Sequence, residues 1–115
     1  MTLDSSVLVA VLFAEPGYLD VDVIVSANVF LDVLPRGVNK GTTLHRVLQW
    51  LNADAADCIV AGDSLNDLAL FETGLRSIVV GNCEPALLDR ITDMPHVYRA
   101  SGIGAAGVLE GLRHY

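Results

Sequence analysis

Residues 57–70 read Asp-Cys-Ile-Val-Ala-Gly-Asp-Ser-Leu-Asn-Asp-Leu-Ala-Leu. A short run from Asp57 to Ala61, apolar from Cys58 on, ends at Gly62, and Asp63, Asn66 and Asp67 follow before apolar residues resume. A run this short, bounded by a turn signal, reads as a strand buried on both faces of a parallel sheet. The polar cluster then lies just past the carboxyl end of that strand, where doubly wound sheets open a ligand crevice. A helix from about Ser64 to Thr73 carries the chain away.

The flanking segments repeat this alternation. Upstream, residues 21–34 form two extended, β-branched stretches around Ser-Ala-Asn, a β-hairpin pattern. Pro35-Arg36-Gly37 breaks it, and from Thr42 the apolar positions Leu44, Val47, Leu48 and Leu51 take helical spacing, ending near Asn52. Downstream come a second buried strand at 77–81 and a short helix at 84–90 with Pro85 in its first turn. A short strand at 96–98 and a helix at 104–114 close the chain. Strands alternating with helices predict right-handed βαβ units on a parallel sheet.

A chain of 115 residues supports one core, and its 52% apolar and 18% charged composition suits an α/β protein rather than a disordered one. The net charge of −7 argues against a nucleic-acid partner, because it repels a phosphate backbone. A small phosphorylated ligand remains compatible if local groups or a divalent cation supply positive charge. Cys58 and Cys83 form no CxxC, so buried free thiols in a reducing, cytoplasmic setting are expected. The longest apolar run, residues 7–14, falls far short of the roughly 20 residues a membrane span needs. Neither a membrane partner nor a signal peptide is expected.

Two groups of residues carry candidate chemistry. Asp63 and Asp67 stand four apart, so one helical turn brings their carboxylates towards the same region. Two hard oxygen donors suit Mg²⁺, which takes one or two carboxylates together with waters and phosphate oxygens. Ser64-x-x-Asp67 also matches a capping box, which accounts for Ser64 and Asp67 but leaves Asp63 and Asn66 unexplained. The second group is Gly-Val-Asn-Lys-Gly at 37–41, with Lys40 at a helix start, where the macrodipole disfavours a cation. A cation there calls for an anion, and a phosphate held by the helix's free N–H groups would supply one.

Two further patterns are set aside. Gly102-x-Gly104-x-x-Gly107 matches a dinucleotide fingerprint, but only eight residues follow it, so a tight turn and close helix packing are expected instead. Asp20-x-Asp22 lies within the first hairpin strand and reads as the solvent face of an exposed sheet. His45, His96 and His114 show no metal-ligand spacing.

The stretches at 34–44, 60–67 and 79–82 together resemble the C-terminal half of haloacid dehalogenase-like phosphatases, in the Cof-type and sucrose-phosphate phosphatase-like branch. The resemblance implies that Lys40 neutralises phosphate and nucleophile and that Asp63 and Asp67 hold Mg²⁺. It further implies that Asn66 hydrogen-bonds near the phosphate or the lysine, and that Asn82 shapes the phosphate side. Family members also carry an Asp-x-Asp nucleophile motif at the end of an early strand and then a Ser/Thr motif; this sequence has neither in place. The expected fold is thus a partial doubly wound, Rossmann-like parallel sheet of the α/β class with a β-hairpin remnant of a cap domain. Residues 1–34 form the N-terminal segment and cap-like hairpin, and residues 35–115 the C-terminal half of the core.

The function implied is the C-terminal part of a Mg²⁺-dependent phosphatase of sugar phosphates or similar small phosphomonoesters, inactive as an isolated chain for want of a nucleophile. The alternative is a non-catalytic module that pairs with a complementing half or with itself. Last comes another doubly wound binding domain, such as a response-regulator-like one, in which Asp63 has a different role.

Overall fold

The computed structural model describes residues 21–26 and 30–115; the apolar run 7–14, Asp20 and the centre of the Ser-Ala-Asn turn lie outside them. Strands β1 (Val21–Ser26) and β2 (Phe30–Pro35) form the antiparallel hairpin, with Val21 opposite Pro35 and Ser26 opposite Phe30. Helix α1 (Lys40–Leu51) follows, then a 3-10 turn at Ala55–Asp57 and strand β3 (Ile59–Gly62). A second 3-10 turn, Leu65–Asp67, leads into the single-turn helix α2 (Leu68–Phe71) and strand β4 (Arg76–Val79). The chain ends with α3 (Pro85–Ile91), β5 (Val97–Arg99) and α4 (Gly104–His114).

Strands β3, β4 and β5 pair in parallel in that order, with Ile59 opposite Arg76 and Ser77 opposite Val97. Side chains along a strand alternate between faces, and β4 shows what each face meets. Val79 packs with Phe71, Leu87 and Ile91, so α2 and α3 cover one side. Ile78 and Val80 approach Gly111 and Gly107 of α4, which covers the other. The result is a three-layer α/β arrangement around a parallel Rossmann-like sheet, as the alternating pattern implies. Each fully buried large side chain here, such as Phe71 or Leu87, stabilises the fold by about 1.5–3 kcal/mol.

Several sequence expectations shift in detail. Strand β3 begins two residues later than the apolar run suggests, and only Val60 in it is fully buried. Among the described residues β3 pairs on one side only, so it lacks the double coverage that buries β4. Cys58 and Cys83 are free but half-buried rather than buried. Burial pushes the Cys83 thiol up from its ordinary range, which suits an inert thiol. The helix expected from Ser64 to Thr73 divides into a 3-10 turn and one α-turn, and Gly74, at φ 79°, ends it. Asp22 is half-buried rather than fully open to solvent, and its carboxylate accepts the Gly37 N–H at 3.1 Å across the turn that follows β2. Val23 and Val25 take the outward face, at 42% and 45% exposure. The glycines at 102–107 do pack a turn closely on a helix, since a Cβ on Gly102 would lie 2.9 Å from the Gly107 nitrogen. Among the described residues no helix is long and apolar enough to cross a membrane.

Candidate functional site

The site forms where α1 begins and β3 ends. Helix α1 starts at Lys40, two residues before the apolar periodicity, because Asn39 caps it. The Asn39 side-chain oxygen accepts from Thr42 N at 2.9 Å, and Thr42 Oγ1 accepts from Asn39 N at 3.0 Å. This reciprocal pair is a capping box with threonine in the third position. Asn39 thereby takes up the Thr42 N–H, one of the helix-start N–H groups that could otherwise face a phosphate.

The anion that Lys40 needs comes from the protein. Its Nζ lies 2.5 Å from Asp67 Oδ1, and the Lys40 side chain is 49% exposed against 9% for Asp67. Asp67 faces inward because the tight turn after β3 folds its carboxylate back on the chain. Its Oδ2 accepts from Asp63 N at 2.9 Å and from Ser64 N at 3.3 Å. Burial alone would raise the Asp67 pKa, but the Lys40 and backbone hydrogen bonds and the lysine's charge outweigh it and hold the carboxyl below its ordinary range. Gly62 makes room for this geometry, since a Cβ there would stand 2.6 Å from Asp67 Cβ. Gly41 does the same at the start of α1, whose backbone runs against the Ala69 carbonyl.

Asn66 joins the pair, with its Oδ1 3.4 Å from Lys40 Nζ and also accepting from the Ser64 hydroxyl. Asp63 differs from Asp67 in every respect. It is exposed, and its carboxylate has no hydrogen-bond partner among the described residues. Its backbone carbonyl accepts from Glu84 N at 2.8 Å, which ties the loop after β3 to the loop after β4. Asn82 lies on that second loop, where its Oδ1 accepts from Gly104 N at 3.1 Å.

Lys40, Asn66 and Asp67 are therefore in contact, Asp63 adjoins them through the backbone, and Asn82 stands on the neighbouring loop. Three contributors were missed from the sequence. Asn39 carried a readable signal in Asn-x-x-Thr, Gly62 carried one in its place before Asp63, and Gly41 carried none without knowledge of Ala69. Among the described residues no three His, Cys, Asp or Glu side chains gather into a metal cluster. A cation at this site would rest on Asp63, which is open to it, with Asp67 already bonded at both oxygens.

Comparison with known proteins identifies what this arrangement belongs to. The family model for sucrose-6F-phosphate phosphohydrolase matches residues 8–115. The glucosylglycerol-phosphate synthase of Pseudomonas anguilliseptica is 38% identical over 97 residues, which are 84% of this chain and 13% of the synthase. The mannosylfructose-phosphate phosphatase of Agrobacterium fabrum is 33% identical over 98 residues, 84% of this chain and 40% of the phosphatase. The sucrose-phosphatase of Synechocystis, solved with sucrose and phosphate, superposes with a TM-score of 0.79 at 31% identity, covering 98% of this chain and 48% of its own. A haloacid dehalogenase-like hydrolase of B. subtilis shares the fold, with a TM-score of 0.64 at 21% identity. The chain spans less than half the length of each of these relatives. With a family model matched along nearly its whole length, the chain belongs to the sucrose-6F-phosphate phosphohydrolase family, on the haloacid dehalogenase-like fold.

Proposed function

We propose that this chain supplies the lysine and metal side of a Mg²⁺-dependent phosphatase acting on phosphorylated sugars or similar small phosphomonoesters. The observation that carries the reading is the Lys40–Asp67 pair beside the open carboxylate of Asp63 at the end of a parallel strand. Phosphoryl transfer asks the protein mainly for positioning and charge stabilisation. Asp67, fixed by two backbone N–H groups, holds the ammonium of Lys40 in one place. Lys40 is half exposed, so its remaining donors stay available to a phosphoryl oxygen. Asn66 limits the lysine's sideways motion, and Asn82 borders the phosphate from the next loop.

The donor set fits Mg²⁺, which is content with one or two carboxylates if water and phosphate complete its shell. Asp63 would hold it directly, with Asp67 orienting the lysine; this narrows the paired role suggested by sequence spacing. When bound, the ion would polarise a phosphoryl oxygen and offset its charge. The relatives' names include sugar-phosphate phosphatases, which supports the substrate class. Two unpaired thiols accord with a reducing, cytoplasmic setting.

In the family pattern the attacking carboxylate belongs to an Asp-x-Asp at the end of an early strand, a motif this sequence does not carry in place, so the isolated chain is expected to bind without turnover. Calorimetric titration of inorganic phosphate with Mg²⁺ should show binding that Lys40→Met abolishes, while sugar phosphates are not hydrolysed. Robust hydrolysis that is lost in Asp63→Asn would overturn the proposal of an incomplete site. A second reading, association with a complementing half or a second copy, has the one-sided pairing of β3 in its favour. Sedimentation of a strictly monomeric, soluble chain would count against it.

A further inference from the structure

We propose that Glu110 is a positioning residue for the phosphate side of the site, acting on Asn82 through the loop 101–104. The inference rests on the phosphate-site reading above. Glu110 lies on α4, yet its carboxylate gathers three donors from the chain that enters that helix. Oε2 accepts from Tyr98 Oη at 2.9 Å and from Ser101 N at 3.0 Å, and Oε1 accepts from Gly102 N at 3.0 Å. One side chain thus satisfies two consecutive amides of the loop after β5 and ties them to the strand before it.

The loop is held from its other side by the loop after β4. Gly81 N donates to the Gly102 carbonyl at 2.8 Å, and a Cβ on Gly102 would crowd Ala106 and Gly107 at about 3 Å, so the backbone has little freedom to shift. Two residues further on, Gly104 N donates to Asn82 Oδ1 at 3.1 Å. That bond turns the carbonyl side of the Asn82 amide towards α4 and leaves its NH₂ as a donor. Gly104 also lines, with Gly62, Asp63, Asp67 and Val80, a hollow of about 260 Å³. The Asn82 anchor and the metal-facing carboxylate therefore border one space, and Glu110 sets where the anchor stands.

A carboxylate is the only ordinary side chain of this length that accepts at both ends. Glu110→Gln keeps the shape but turns an NH₂ towards at least one of the three donors. Tyr98→Phe is the matched control, because it removes one hydrogen bond from the same carboxylate and leaves both loop amides paired.

The test uses the whole chain and two readouts: amide hydrogen exchange at Ser101, Gly102 and Gly104, and calorimetric affinity for inorganic phosphate with Mg²⁺. Expected for Glu110→Gln are faster exchange at all three amides and phosphate affinity about fivefold weaker, the worth of one hydrogen bond. Tyr98→Phe should retain both the protection and the affinity. Faster exchange with unchanged phosphate affinity would overturn the inference and leave the phosphate-site reading standing, as would equal weakening by Tyr98→Phe. A wild-type chain that binds no phosphate would overturn both. Should Glu110→Gln not fold, Glu110→Asp, which keeps the charge and draws it back by one methylene, is read in the same way.

Discussion

Replacing Asp67 by alanine should be among the costliest single changes this chain can suffer outside its apolar core. Asp67 is 6% exposed as a residue, and its carboxylate accepts three hydrogen bonds, two from backbone N–H groups and one from Lys40. Hydrogen bonds to a charged acceptor are worth about 1.5–3 kcal/mol each, and a lost partner leaves the donor's desolvation uncompensated. The lysine's share is discounted because its side chain is half exposed and water replaces part of the interaction. The two backbone bonds then dominate, and we expect Asp67→Ala to destabilise by about 3–4 kcal/mol. Asp67→Asn retains an acceptor for the backbone N–H groups but points an NH₂ at the ammonium, so its cost should be about 1–2 kcal/mol. Lys40→Met should fall in that same range of about 1–2 kcal/mol, since the backbone N–H groups continue to solvate the carboxylate. Urea unfolding of the three variants, followed by circular dichroism, measures this order. The reasoning is refuted if Asp67→Ala costs less than about 1 kcal/mol, or if Lys40→Met costs as much as Asp67→Ala.

Other expectations follow from single contacts. Gly62→Ala places a methyl 2.6 Å from Asp67 Cβ, so Asp67 must move; a loss of about 1–3 kcal/mol and disturbed Lys40 side-chain resonances are expected by denaturation and NMR. Asn39→Ala removes the acceptor for Thr42 N and should cost about 0.5–2 kcal/mol, with faster amide exchange confined to the first turn of α1. Glu110 supplies a pH signature. The Ser101 N–H, then the Tyr98 hydroxyl and the Gly102 N–H, hold its carboxyl below the ordinary value of 4.5. A depressed folded-state pKa contributes stability above the unfolded value, which is lost as pH falls through the folded value. The melting difference between wild type and Glu110→Gln should therefore be full at neutral pH and shrink only below the ordinary glutamate range. A difference that is already gone at pH about 6 would contradict the assigned contacts.

Much of the fold was legible because the sequence signals and the tertiary structure agree. Helix α4 occupies the range that its pattern predicts, and β4, buried on both faces, overlaps the continuous apolar run at 77–81. Strand β3 was less legible, since an apolar run reports what a strand can bury and not whether a neighbour covers it. The site divides in the same way. Gly-Asp-Ser-Leu-Asn-Asp and Asn-Lys-Gly pointed to the residues that the fold brings together, but not to the contacts among them. Spacing of four suggests two carboxylates side by side only if the turn is α-helical. The chain instead makes a 3-10 turn at 65–67, and the Asp67 side chain bonds back to the N–H groups of Asp63 and Ser64. Its pairing with Lys40, 27 residues away, belongs to the tertiary structure and leaves no local trace.

On the proposed reading, the division of labour between Asp63 and Asp67 sets the electrostatics of phosphate binding. Lys40 is already paired with Asp67, so with Asp63 the cluster holds one cation against two carboxylates, in a chain whose net charge is −7. A phosphate dianion entering it meets net repulsion. At 4 Å each like unit pair costs about 1 kcal/mol in water and about 4 kcal/mol at the effective dielectric of a protein surface. A divalent cation on Asp63 reverses the sign of the cluster, so phosphate affinity should depend steeply on Mg²⁺ and nearly vanish in chelator. Asp63→Asn separates this from mere folding: the side chain is exposed and unbonded among the described residues, so stability should stay within about 0.5 kcal/mol of wild type. The variant should lose Mg²⁺ affinity while its neutralised cluster repels phosphate less without metal, leaving weak binding that Mg²⁺ no longer enhances. Calorimetry of both proteins, with and without Mg²⁺, tests the argument. Phosphate affinity in the wild type that is indifferent to chelator would mean that Lys40 alone governs the site and that Asp63 holds no metal.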